Sequence, residues 1–264
     1  MQVGEGRRWL GVILAGGQGT RLAALNLGLP KPMLPLAGRP LVEHIAGWLL
    51  RALPKVVVLA GRNQPIFDHF AGHDRIEPLA HDPAGTGGDV LALARSNPAT
   101  TLVVCNADTV NDLDLAAVLA AHLTRSPSVG ATLVVTRSAE AQYAGAIAVD
   151  QSGRVIRSFE DGQGGPRPQP GAAWQGSSTG VLVVDTALLA DLSFSGDTVS
   201  LERQVIPALI ERGQVFACDN GQRLCLDIGL PETYPHLINR AGAALAALGR
   251  HWDGVGGSHL ERSE

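Results

Sequence analysis

The sequence is poor in several features that mark specialised chains. Only three of its 264 residues are cysteine, and Cys105, Cys218 and Cys225 give an odd count with no Cys-x-x-Cys spacing. That excludes a disulfide framework and a thiolate zinc site, and it fits a reducing cytoplasm. No apolar run approaches the roughly 20 residues of a membrane span, so no membrane partner is expected. Arg7-Arg8 resembles a twin-arginine export signal only superficially, because about seven apolar residues follow before a glycine-rich loop and no small-residue cleavage site appears. A net charge of −4 provides no general basic surface for nucleic acid. The eight histidines form no metal or triad constellation, His44 falling on the polar side of a helix, and no serine occupies a Gly-x-Ser-x-Gly elbow. Hydrolase readings therefore have no residues behind them.

Against these absences, 45% hydrophobic and 17% charged residues describe a compact globular chain, long enough for one large α/β domain and a substantial core. The most informative stretch is Leu14-Ala15-Gly16-Gly17-Gln18-Gly19-Thr20-Arg21-Leu22, followed by Pro30-Lys31-Pro32-Met33-Leu34-Pro35. Residues 9–15 read as a buried strand, and the glycines after it let backbone N–H groups approach a phosphate chain that a Cβ would obstruct. Arg21 and Lys31 supply fixed positive charge. A Walker loop would need a Lys-Ser/Thr pair, and the dinucleotide fingerprint a glycine or alanine where Leu22 stands. A tight turn between strand and helix is the plainer alternative for the glycines.

Periodicity supplies the frame. Leu41, Val42, Ile45, Ala46, Leu49, Leu50 and Leu53 repeat at helical spacing between Pro40 and Pro54. Strand and helix then alternate: a strand at 55–60, a helix at 64–71, a strand near Ile76, a helix at about 88–95, a strand at 101–106, a helix at 113–123 and a strand at 131–135. This order predicts a doubly wound, Rossmann-like α/β fold with a mainly parallel mixed sheet, whose ligands sit beyond the carboxyl ends of the strands. From Tyr143 the pattern shifts to shorter strands at 146–149 and 155–159 and a Gly/Pro/Gln-rich loop at 162–171, a small β-rich subregion. A strand at 181–184, a helix at 201–210, an apolar run at 224–226 and a last helix at about 232–248 complete a single domain over 1–248. Residues 249–264 lack periodicity and read as a flexible tail.

Asp108 and Asp227 each follow an apolar run, where a parallel sheet opens to its crevice. Either could be a helix cap or a loop brace. Beside a triphosphate loop they also suit Mg²⁺, which takes one or two carboxylates plus phosphate oxygens. Gly85-Thr86-Gly87-Gly88 is a second glycine cluster ahead of a helix, and alone it is equally well an ordinary loop-to-helix junction.

Residues 14–22 and 30–35 match, position for position, the motif of the sugar-1-phosphate nucleotidyltransferases, and the chain resembles that family over most of residues 10–240. The resemblance implies that Leu14, Ala15, Gly16, Gly17, Gly19, Thr20, Arg21, Lys31, Gly87 and Gly88 bind the nucleotide, the backbone of Gly87, Gly88, Ala15 and Gly16 reading the base. It implies that Arg21, Lys31 and Asp108 act in catalysis, with Asp108 (in Asn106-Ala107-Asp108) and Asp227 (in Asp227-Ile228-Gly229-Leu230-Pro231-Glu232) holding Mg²⁺. Gly145, Asp161 and Ser178 would meet the sugar phosphate, making the β-rich subregion a sugar-binding one. Gly162 departs from the family, standing where a lysine is usual, with Arg167 a substitute cation, and Ser178 stands where an asparagine is usual. The implied reaction is transfer of a nucleoside monophosphate from a triphosphate to a sugar 1-phosphate with release of pyrophosphate. Ser200-Leu201-Glu202-Arg203 and Gly85–Gly88 are most similar to guanylyltransferases acting on D-glycero-D-manno-heptose 1-phosphate. UTP-dependent N-acetylmuramate 1-phosphate members, thymidylyl or cytidylyl members, and a catalytically silent nucleotide-sugar sensor stay open. No hexapeptide repeat suggests the acyltransferase domain of some members. A homo-oligomer is compatible with the sequence, since an interface stripe is indistinguishable from core periodicity.

Overall fold

The computed structural model of the chain describes residues 7–17, 29–81, 84–125, 130–138, 146–159, 169–223 and 225–227. In chain order these form β1 (Arg8–Leu14), a one-turn 3-10 helix (Lys31–Met33), β2 (Pro35–Leu36), β3 (Arg39–Pro40), α1 (Leu41–Leu50), β4 (Val56–Gly61), α2 (Gln64–His69) and β5 (Ile76–Ala80). Next come α3 (Gly85–Ser96), β6 (Thr100–Asn106), β7 (Thr109–Asn111), α4 (Leu115–Thr124), β8 (Ala131–Thr136), β9 (Ala146–Val149) and β10 (Val155–Phe159). The rest are β11 (Trp174–Asp185), α5 (Thr186–Leu189), a π turn (Leu201–Val205) running into α6 (Ile206–Glu211), β12 (Val215–Asp219) and β13 (Cys225–Asp227). The helix expected at 232–248 and the tail at 249–264 lie outside the described residues.

Nine strands make one mixed sheet whose main path is β10-β9-β11-β6-β1-β4-β5, with β8 and β12 branching from β11. β1 pairs in parallel with β4 and β6, and β5 extends β4 in parallel. The chain thus winds outward from β1 to β5 and returns to β1's other side as β6, a reversal that opens a crevice beyond the carboxyl ends of β1 and β6. β11 is antiparallel to β6, β8 and β9, so the second half of the sheet carries the β-rich subregion. β12, which the apolar pattern alone did not reveal, pairs in parallel with β8.

Alternation along β1 sends Ile13 to one apolar layer with α1 and α4, and Leu10 and Val12 to another with α3 and α6. Both sheet faces are therefore covered, as a parallel sheet requires. α1 has no side-chain cap at its N-terminus and is held by packing. Its Leu41, Val42, Ala46 and Leu49 are almost fully buried, and truncating one such leucine costs about 2–5 kcal/mol. His69 and His73 stand four residues apart, but α2 ends at His69, which approaches Glu43, while His73 Nδ1 accepts the backbone N–H groups of Arg75 and Ile76. The pair is thus spent on ending one helix and starting β5.

One expectation is corrected. The run at 224–226 is not a strand of the parallel sheet: β13 pairs antiparallel with β7 in a separate two-stranded sheet, Asp227 opposite Thr109. Asp227 reaches the crevice because β7 continues directly from the Asp108 turn, and a short ladder brings the distant segment alongside.

Asp185 ends β11 and ties the sheet's far end together. It accepts from Arg7 at 2.6 and 2.7 Å and from Thr101 at 2.6 Å, with His122 Nε2 3.7 Å away. Burial pushes its carboxyl up, but the approach of His122, the Thr101 hydrogen bond and the Arg7 charge outweigh this and hold it below the usual 3.8. A carboxyl depressed in the folded state adds stability above its unfolded value that disappears as pH falls through the folded one. Asp185→Asn is therefore expected to lower stability at pH 7 by about 1–3 kcal/mol, and to flatten the loss of stability below about pH 4, as read by denaturant melts at several pH values.

Candidate active site

The Pro-Lys-Pro spacing builds a rigid platform. Pro30 precedes the 3-10 turn at φ −64°, Pro32 is buried inside it, and Met33 N–H and Leu34 N–H close it onto Pro30 O and Lys31 O at 2.8 and 3.1 Å. Fixed proline φ angles remove backbone freedom on both sides of Lys31. The hairpin β2–β3 then turns the chain into α1 through Ala37 and Gly38, both at positive φ, which the twist of a two-residue hairpin demands.

From this platform Lys31 reaches the β6 end of the crevice. Its Nζ donates to Asp108 Oδ2 at 2.6 Å and stands 3.9 Å from Asp227 Oδ1. Asp108 follows β6, where Ala107 N–H donates to Leu14 O, and its Oδ1 accepts from Thr109 Oγ1. The lysine is 16% exposed and the two aspartates 32% and 51%. Two carboxylates thus flank one ammonium. That donor set fits a divalent cation whose remaining ligands are phosphate oxygens. Among the described residues no cluster of three or more His, Cys, Asp or Glu side chains could hold a metal unaided.

Leu14 ends β1 between Leu59 and Asn106. Ala15 N–H donates to Leu59 O, and Ala15 O accepts from Asn63 Nδ2 at 2.9 Å. Gly16 faces His81, and among the described residues a Cβ at Gly17 would meet nothing within 4 Å. Gly19, Thr20, Arg21, Gly145 and Asp161 lie outside the described residues, as do Gly162 and Arg167.

Gly87 and Gly88 are placed at the start of α3, but both of their N–H groups donate to Val199 O, at 2.8 and 3.2 Å. The strand-like segment before the π turn presses so closely that a Cβ at Gly85 would lie 2.4 Å from Val199 O, and one at Gly87 2.8 Å from Ser200 C. Thr86 reinforces the joint, donating to Glu202 and accepting from Leu201 N–H. Close backbone approach explains these glycines in the structure. Ser178 sits on β11 beside an irregularity in its pairing with β8, and its Oγ accepts from Gly180 N–H at 3.2 Å. Such a bulge re-aims side chains at a site's edge.

The sequence reading missed His81 and Asp89. His81 Nε2 accepts from Gly61 N–H at 3.1 Å, which puts the ring proton on Nδ1, 3.2 Å from Asp89 Oδ1. Asp89 Oδ1 also accepts from Ala84 N–H. The available signal was position: His81 directly follows β5, at the same edge of the sheet as Gly16 and Asp108.

The sequence features have counterparts in known proteins. The chain is 33% identical over 209 residues to a mannose-1-phosphate guanylyltransferase of Mycobacterium tuberculosis, a match covering 76% of this chain and 55% of that protein. It is 28% identical to a mannose-1-phosphate guanylyltransferase catalytic subunit beta of Drosophila pseudoobscura pseudoobscura, over 88% of this chain and 62% of that protein. The chain thus spans little more than half the length of these curated relatives. In fold it is similar to HddC from Yersinia pseudotuberculosis, solved alone and complexed with GMP-PN, at TM-scores of 0.69 and 0.70 and 22% identity, covering 88% of this chain and 98% of that one. A Bacillus anthracis structure solved with sucrose matches at 0.71 with 17% identity, over 89% of this chain and 94% of that one. The MobA-like NTP transferase domain matches residues 11–169, more than half of the sequence, and the chain belongs to that family.

Proposed function

We propose that the chain transfers GMP from GTP to a mannose-like or heptose 1-phosphate, giving a nucleotide sugar and pyrophosphate. The convergence of Lys31, Asp108 and Asp227 beside the open end of β1 carries this reading. The guanylyltransferase names of the relatives support the choice of nucleotide.

The acceptor's phosphate is already an anion, so no protein nucleophile or general base is required. Repulsion between two polyanions is the obstacle, and positioning with charge neutralisation is the main contribution the protein makes. Lys31 bridges the α-phosphate and the incoming sugar phosphate from its proline-braced turn. Arg21, the second cation of the motif, clamps the triphosphate. Asp108 and Asp227 would hold Mg²⁺, which supplies further neutralisation at the phosphate oxygens when bound. Ser178, Gly145 and Asp161 face the sugar phosphate in this reading. None of the three cysteines is in a disulfide, which suits a reducing cytoplasm, and among the described residues no helix is long and apolar enough to cross a membrane.

Pyrophosphate release measured over a panel of GTP, UTP, dTTP and CTP with mannose, heptose and N-acetylmuramate 1-phosphates tests the reading. Release with GTP and a manno-configured sugar is expected, and nucleotide binding without release under every pairing would establish a sensor instead. Lys31→Ala and Asp227→Ala should each lower turnover about a hundredfold or more while leaving the melting temperature near that of the parent. Chelation with EDTA should stop release, and added Mg²⁺ should restore it.

A further inference from the structure

β7 is three residues long, and each of its side chains is engaged. Val110 is buried in the apolar layer that also holds Leu226, so alternation turns Thr109 and Asn111 to the other face. Thr109 Oγ1 donates to Asp108 Oδ1, and Asn111 Nδ2 donates to Thr179 O at 3.1 Å. That carbonyl belongs to the irregular stretch of β11. Val181 pairs with Cys105, so the residues ahead of Val181 run past the end of β6 beside the Asp108 turn, and there the pairing of β11 with β8 slips between Ser178 and Leu182. Gly180, at φ +73°, lies so close to Asn106 that a Cβ would stand 2.9 Å from the Asn106 Nδ2. Residues 178–180 are thus gripped twice by the segment that carries Asp108, through contact at Asn106 and a hydrogen bond from Asn111. The other half of the Asn111 amide gains nothing from this arrangement: its Oδ1 is buried with no hydrogen-bond partner among the described residues. A buried acceptor without a donor costs more than one ordinary hydrogen bond returns, so folding stability alone is a poor reason for an asparagine here.

We infer that Asn111 is a positioning residue for the acceptor substrate: by holding the Thr179 carbonyl it fixes Ser178 relative to Asp108 and Asp227. The inference rests on the reading above in which Ser178 faces the sugar phosphate. β7 sets three groups against one another, since it continues from the Asp108 turn, pairs with β13 so that Asp227 lies opposite Thr109, and reaches β11 through Asn111. In-line transfer depends on the separation between the acceptor phosphate and the α-phosphate, and a small misplacement of either is costly. The nucleotide is assigned to the loop after β1, away from β11, so loss of the Asn111 contact falls on the acceptor and spares GTP.

The test compares Asn111→Leu, similar in volume but unable to donate, with Ser178→Ala and with the double variant, reading KM for GTP and for mannose 1-phosphate from pyrophosphate release. Asn111→Leu is expected to raise KM for mannose 1-phosphate about tenfold while KM for GTP stays within about twofold. The double variant should be no worse than the more impaired single one, because both changes act through one contact. A parent-like KM for mannose 1-phosphate in Asn111→Leu where Ser178→Ala raises it, an equal rise in both KM values, or losses that simply add would overturn the inference and leave the Ser178 reading standing. No effect of Ser178→Ala would remove that reading and the inference with it. Hydrogen exchange in the parent decides where Asn111→Leu does not fold: with α,β-methylene GTP bound, added mannose 1-phosphate should slow exchange at 109–111 and 178–180 together, and slowing at one segment alone or at neither would overturn the coupling.

Discussion

The parallel pairing of β1 with β4 on one side and β6 on the other is the constraint on which the rest of the molecule depends. Because all three strands run the same way, their carboxyl ends lie along one edge, and the segments following them are forced together. Gly16 follows β1, Gly61 closes β4, His81 follows β5 and Asp108 follows β6. Gly16 and Asp108, 92 positions apart, thereby share one crevice without any loop having to travel far. Apolar layers on both faces make that edge rigid, so groups attached to it are held by the core.

Charge is concentrated at one end of the crevice. Lys31 comes from a turn braced by prolines, Asp108 from a strand end and Asp227 from a two-stranded accessory ladder that starts at the residue after Asp108. In the unliganded arrangement the ammonium partly neutralises the two carboxylates. Phosphate oxygens and a divalent cation would compete for those same groups, so the resting contact holds the charged side chains where a polyanion would meet them. Local cations would let a chain of net charge −4 meet such a ligand.

The other end of the crevice is shaped by backbone contact. The segment around Val199 packs so tightly on the first turn of α3 that side chains at Gly85 and Gly87 would collide with it. Hydrogen bonds from Gly87, Gly88 and Thr86 lock the joint. That lock occupies those amides, while across from them His81, held by Gly61 and Asp89, faces Gly16.

The sequence by itself determined the alternation of strands and helices and the glycine loop, and it marked Lys31 and Asp108 as candidates. These are local properties: hydrophobic period, proline φ and glycine's missing Cβ act over a few residues. Long-range pairing was not legible in the same way. The apolar run at 224–226 looks the same in sequence whether it joins the large sheet or a short ladder with β7, and only the tertiary structure decided for the ladder and so for Asp227 beside Lys31. Likewise the glycines at 85, 87 and 88 announce close approach but not what approaches; the fold supplied Val199 in place of an open amide row. His81 and Asp89 carry no spacing signal, because their meeting depends on β5 lying beside β4 and on α3 returning over that edge. Periodicity encodes which face of an element is buried, whereas partners across the chain are chosen by the packing of all the elements at once.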